Sequence, residues 1–127
     1  MSEFISVPTQ QEVEPRRSSG ATAGGFTFAT VTALDPETGR RAAEAGTVAE
    51  EVALLFARLD EILAEANLTR VDLVKSTCWI SDEDHRFDFI YAYRDHCADG
   101  VYPQRITMSV GLPADCRGAI EFIAAAR

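Results

Sequence analysis

The chain is poor in cysteine, poor in cations and free of long apolar runs, and each shortage closes off a class of explanation. Its three cysteines, Cys78, Cys97 and Cys116, are odd in number and widely spaced. They make neither a disulfide framework nor the paired CxxC knuckle of a zinc site, and they read as free thiols in a reducing cytosol. The two histidines, His85 and His96, are a poor helical match for metal ligation. Twelve Lys and Arg face twenty Asp and Glu, a formal net charge of −8. That field repels double-stranded nucleic acid, and no basic stripe offsets it: Arg16-Arg17 and Arg40-Arg41 are isolated pairs. No apolar run approaches the ~20 residues that a membrane-spanning helix needs. The opening segment MSEFISVPTQQEVEPRR lacks the apolar core of a secretory leader, so a cytoplasmic location is expected.

The 127 residues predict a single domain, with residues 1–20 as a loosely held arm carrying one short strand at Phe4–Val7. At 46% apolar residues the chain can bury a core without a metal or a disulfide. Phe26–Thr32 is rich in β-branched and aromatic residues and reads as a strand. Leu34-Asp35-Pro36-Glu37-Thr38-Gly39 supplies turn chemistry. Thr47-Val48-Ala49-Glu50 fits a capping box, and Val52, Leu55, Phe56, Leu59, Ile62, Leu63 and Ala66 follow at helical spacing. A helix over Thr47–Ala66 follows, with Asn67 as its stop.

Leu73–Ile80 predicts a second strand, with Val74, Ser76, Cys78 and Ile80 on one face and Lys75, Thr77 and Trp79 on the other. Ser81–Asp84 opens a second helix, which runs through Phe87, Ile90, Tyr91 and Arg94 to about Cys97. Strands over Ile106–Val110 and Gly118–Ala125 close the chain. The order predicts an α+β sandwich, a mixed sheet with two helices on one face.

Two nearly apolar C-terminal strands each carry one charge. Arg105 precedes Ile106–Val110, and Glu121 interrupts Ala119-Ile120-Phe122-Ile123-Ala124. By alternation Arg105 shares a face with Thr107 and Ser109. A charge at such a place is costly unless it is paired. In one reading Arg105 and Glu121 form an ordinary ion pair. In the other, the planar guanidinium fork grips a ligand carboxylate and Glu121 orients a water. Trp79 either packs against neighbours or lines a pocket between subunits.

The segment Tyr102-Pro103-Gln104-Arg105-Ile106-Thr107-Met108-Ser109-Val110, followed by Leu112-Pro113 and Ile120-Glu121-Phe122-Ile123-Ala124, resembles the C-terminal signature of the RidA/YjgF family. Leu34–Gly39 is similar to that family's hairpin turn, and Leu73–Thr77 with Asp82 to its central strand and helix entry. The resemblance implies a homotrimer of chorismate-mutase-like subunits with a central β-barrel and ligand sites between subunits. It also implies cofactor-free hydrolysis of reactive enamines and imines, such as 2-iminopropanoate, to 2-oxo acids and ammonia. In that scheme Arg105 clamps the carboxylate with help from the backbone of Thr107, and Glu121 positions the attacking water. Neither metal, nucleic acid nor membrane takes part.

The chain departs from the family pattern at three places. The arm has Arg16-Arg17-Ser18-Ser19-Gly20-Ala21 where the family has a tyrosine-bearing stretch, and Ala29-Thr30-Val31 replaces Ser-Gly-Gln. Ile90 or a neighbour stands where a helix asparagine is common. Thr30 restores a hydroxyl, although alternation places it on the opposite face. Two readings fit these departures: a deaminase of bulkier or more apolar imines, and a divergent member that binds a small carboxylate or serves a specialised pathway.

Overall fold

Helix α1 (Val48–Glu65) starts where its capping box closes: Thr47 Oγ1 accepts from the Glu50 amide at 3.1 Å and Glu50 Oε1 accepts from the Thr47 amide at 3.0 Å. Asn67, at φ 58°, takes the left-handed turn that ends it. Val52, Leu55, Phe56, Leu59, Ile62 and Leu63 are all buried along one stripe. Each such side chain withdrawn from water stabilises the fold by about 1.5–3 kcal/mol.

The computed structural model describes residues 3–7, 17–97 and 99–126. The arm expected over residues 1–20 therefore lies partly outside the described residues, Arg16 included. The strand expected at Phe4–Val7 lies at Glu3–Ile5 (β1), and Ile5 and Val7 are buried. It pairs antiparallel with β2 (Gly20–Ala23), a strand of small residues where the sequence predicts none.

The remaining strands are β3 (Phe26–Thr32), β4 (Leu73–Ile80), β5 (Gln104–Ser109) and β6 (Gly118–Ala125). The sheet runs β1-β2-β3-β6-β4-β5, with β4 and β5 parallel and the other pairs antiparallel. This is the expected mixed sheet, and β5 is one of its edges. Helix α2 (Arg86–His96) packs beside α1, and both turn apolar residues into one core with the sheet.

Two details differ from expectation. A bulge between Leu73 and Lys75 turns Val74 outward, so Leu73, Ser76, Cys78 and Ile80 form the buried face of β4. The second helix, expected to open over Ser81–Asp84, begins at Arg86, and its stripe Phe87-Ile90-Tyr91-Arg94 is largely the outward one, with Phe87 and Tyr91 exposed. Phe89, Ala92 and Tyr93 are the buried residues. Both stripes repeat at three and four residues, so packing against α1 and the sheet decides between them.

A buried carboxylate ties the end of the chain to α1. Glu51 is 1% exposed. Its Oε1 accepts from Arg117 Nε at 2.8 Å, and its Oε2 accepts from the amides of Arg117 (2.8 Å) and Gly118 (3.1 Å). The same guanidinium donates to the carbonyls of Ala45 and Gly46. Gly118 itself faces the ring of Phe89, which a Cβ would meet at 2.6 Å.

Candidate functional site

Cross-strand register sorts the charged residues onto two faces. Ala29, Phe122, Ser76 and Arg105 lie in one line across β3, β6, β4 and β5, on the face covered by the helices. Thr30, Glu121, Thr77 and Ile106 form the adjacent line, on the open face. Arg105 and Glu121 therefore point to opposite sides of the sheet, and one chain does not bring them together. The ordinary ion pair between them is not formed.

Arg105 is half-buried because β5 is the sheet edge and α2 ends above it. Its Nη1 donates to Thr107 Oγ1 at 2.9 Å, so Thr107 contributes its hydroxyl. The Thr107 carbonyl accepts from Arg86, whose guanidinium is held by both carboxylate oxygens of Glu83 at 2.7 Å. Beneath the Arg105 guanidinium lies the ring of Tyr93, 5.1 Å from centroid to Cζ. The Tyr93 hydroxyl donates to buried Ser76 Oγ at 2.7 Å. Among the described residues no carboxylate lies within ion-pairing distance of Arg105.

A cavity of about 520 Å³ opens beside this arginine, lined also by Tyr93, Arg94, Cys97, Asp99, Val101, Tyr102 and Pro103. The thiols near Arg105 are poor nucleophiles at neutral pH. Burial pushes the Cys78 thiol up to about 12, against the downward pull of Arg105 and Thr107. Burial also raises Cys97. His96 does not serve Cys97 as a base. Its ring stacks on Phe56 at 5.1 Å with Nδ1 3.4 Å from Arg70, and burial, then Arg70, lowers its pKa.

On the open face, Glu121 is half-buried and its Oε1 accepts from Thr77 Oγ1 at 3.5 Å. Thr30 stands beside it in register. A groove of about 180 Å³ there is lined by Arg17, Ser18, Ser19, Phe28, Thr30 and Glu121 among others. Trp79 is half-buried on this same face, in line with Met108 and Ala119, so it belongs with Glu121 rather than with Arg105. Around both, Phe26, Phe28, Ile106, Met108 and Val110 are each 41–48% exposed, an uncovered apolar surface.

Sequence reasoning missed Tyr93, the residue that carries the guanidinium. Its spacing to Phe89 was the available signal. It also missed Ser18 and Ser19, which line the Glu121 groove.

Comparisons with known proteins converge. Residues 17–126 match the family model described as endoribonuclease L-PSP. A RutC family protein of Aquifex aeolicus is 34% identical over 93 residues, 72% of each chain. Among solved structures, a protein of the Rid family from Yersinia pestis superposes with a TM-score of 0.87 at 21% identity, covering 99% of this chain and 100% of that one. Yeast Mmf1 gives 0.86 at 21% identity with full coverage of both chains. A YjgF family member from Neisseria meningitidis gives 0.81 at 20%, covering 100% and 96%.

Proposed function

Since the chain belongs to the RidA/YjgF family, the group that the endoribonuclease L-PSP model covers, we propose that it hydrolyses carboxylate-bearing enamines and imines to 2-oxo acids and ammonia. One observation carries this reading: Arg105 is half-buried beside a ligand-sized cavity, without a carboxylate partner among the described residues. A guanidinium held by a hydroxyl and an aromatic face still has parallel donors for two carboxylate oxygens. A polyanionic substrate fits poorly with a chain of net charge −8.

Arg105 clamps the substrate carboxylate and so fixes the C=N carbon. Glu121 sits across the sheet, so the reading includes a homotrimer in which the Arg105 cavity of one copy meets the Glu121 groove of the next. The uncovered apolar face supports such an assembly. Glu121 accepts a proton as a water oxygen bonds to the iminium carbon. Glu121 returns that proton to the carbinolamine nitrogen, which leaves as ammonia with the electron pair of the broken C–N bond, while the hydroxyl gives its proton back to Glu121 and the C–O bond closes to the carbonyl of the 2-oxo acid. The iminium is already electrophilic, so orientation and local charge supply most of the acceleration, and the scheme uses no metal or organic cofactor.

The absence of the family's tyrosine and Ser-Gly-Gln polar groups favours a second reading, a trimer that binds a small carboxylate without turnover. An amino-acid dehydratase coupled to this protein separates the two by following imine decay. Acceleration that falls on the order of a hundredfold in Glu121→Gln and is lost in Arg105→Ala supports the hydrolase. Unaccelerated decay with Arg105-dependent binding of 2-oxo acids supports the binding module, and loss of both removes the carboxylate reading.

A further inference from the structure

We infer that the side chain accepted beside Arg105 is aromatic or bulky and apolar, not the methyl group of the smallest 2-imino acid; this rests on the reading that Arg105 holds the substrate carboxylate. The first ground is size. A three-carbon imino acid displaces about four waters at ~30 Å³ each, whereas the part of the site that one chain supplies at Arg105 measures about 520 Å³. Cavities of roughly 300–1,000 Å³ suit much larger ligands.

The second ground is what the walls offer. Tyr93 has committed its hydroxyl to Ser76, and so presents a ring. Val101, Pro103 and the neutral thiol of Cys97 continue that apolar wall. Tyr102 is 86% exposed and stands at the cavity as an unspent aromatic surface. Arg94 and Asp99 also line the cavity, and the Arg94 guanidinium lies 5.7 Å from the ring of exposed Tyr91.

The Glu121 groove points the same way. It carries Phe28, 42% exposed, while Ala29 and Val31 turn into the core. Both halves of the divided site thus set an aromatic wall beside their charged groups. Such a wall stabilises a phenyl or isobutyl group by removing its surface from water, a gain that a methyl group cannot make.

The test is isothermal titration of the full chain with pyruvate, 4-methyl-2-oxopentanoate and phenylpyruvate. Phenylpyruvate should bind roughly tenfold or more tightly than pyruvate, with the branched acid between them. Tyr102→Ala should bring the ratio below about threefold, and Tyr102→Phe should keep it. Tyr102 is an exposed residue, so neither substitution should disturb folding, which circular dichroism verifies. Arg105→Ala should weaken all three acids together. Equal affinities in the wild type, with binding still dependent on Arg105, would overturn the side-chain inference and leave the carboxylate reading standing. A preference untouched by Tyr102→Ala would also overturn it. Failure of every acid to bind would overturn both.

Discussion

Two arginines, Arg117 and Arg105, stand at the starts of the last two strands and have opposite fates. Arg117 is spent: Glu51 and the carbonyls of Ala45 and Gly46 take its donors, and its side chain is 19% exposed. Among the described residues Arg105 rests on a ring, gives one hydrogen bond to a hydroxyl and meets no carboxylate. An arginine whose charge is matched inside the protein holds the fold together. One whose charge is left unmatched beside a cavity is available to a ligand.

The comparison breaks most sharply under unfolding. Glu51→Ala strands the Arg117 charge and two amides, and should cost about 3–5 kcal/mol in urea denaturation. Arg105→Ala should cost only about 1 kcal/mol, since one hydrogen bond and one ring contact are lost. Equal losses would mean that Arg105 is as structural as Arg117.

A finer contrast separates the support of Arg105 from its grip. Tyr93→Phe leaves the buried Ser76 hydroxyl without its donor and should cost about 1–3 kcal/mol. The ring remains beneath the guanidinium, so 2-oxo acid affinity should change by less than about threefold. A large loss of affinity would show that the hydroxyl itself reaches the ligand.

The smallest effect concerns pH. His96, packed on Phe56 and faced by Arg70, Asp60 and Asp95, is held below its ordinary pKa, first by burial and then by Arg70. The unfolded chain takes up the proton first, near ~6.5. The stability from the neutral ring is therefore complete above that pH and is lost as the pH falls through it toward the folded value. The urea midpoint should drop between pH 7.5 and 5.5, and drop less in His96→Gln. Identical drops would rule out the histidine. The carboxylates held low by Arg86 and Arg41, Glu83 and Asp115, titrate well below this window.

Local chemistry made much of the architecture legible. The Thr47–Glu50 box marks the start of α1, and period-two or β-rich runs mark β3, β4 and β6. β2 escaped because Gly20–Ala23 has small side chains and owes its extended form to β1 and β3 on either side. Glu51 escaped because a carboxylate on an apolar stripe looks like an error until Arg117, 66 residues away, arrives beside it. Alternation correctly put Arg105 and Thr107 on one face. Their relation to Glu121 depends on register across β4, β5 and β6, and no single strand encodes it.

That dependence gives the Glu51 clip a reach beyond anchoring. By gripping the Arg117 and Gly118 amides, it sets the residue on which β6 begins. A slip of one position would carry the carboxylate of Glu121 into the oily layer under the helices and eject the ring of Phe122. A helix residue that lines neither the cavity nor the groove thus helps to set which side of the sheet bears the acid.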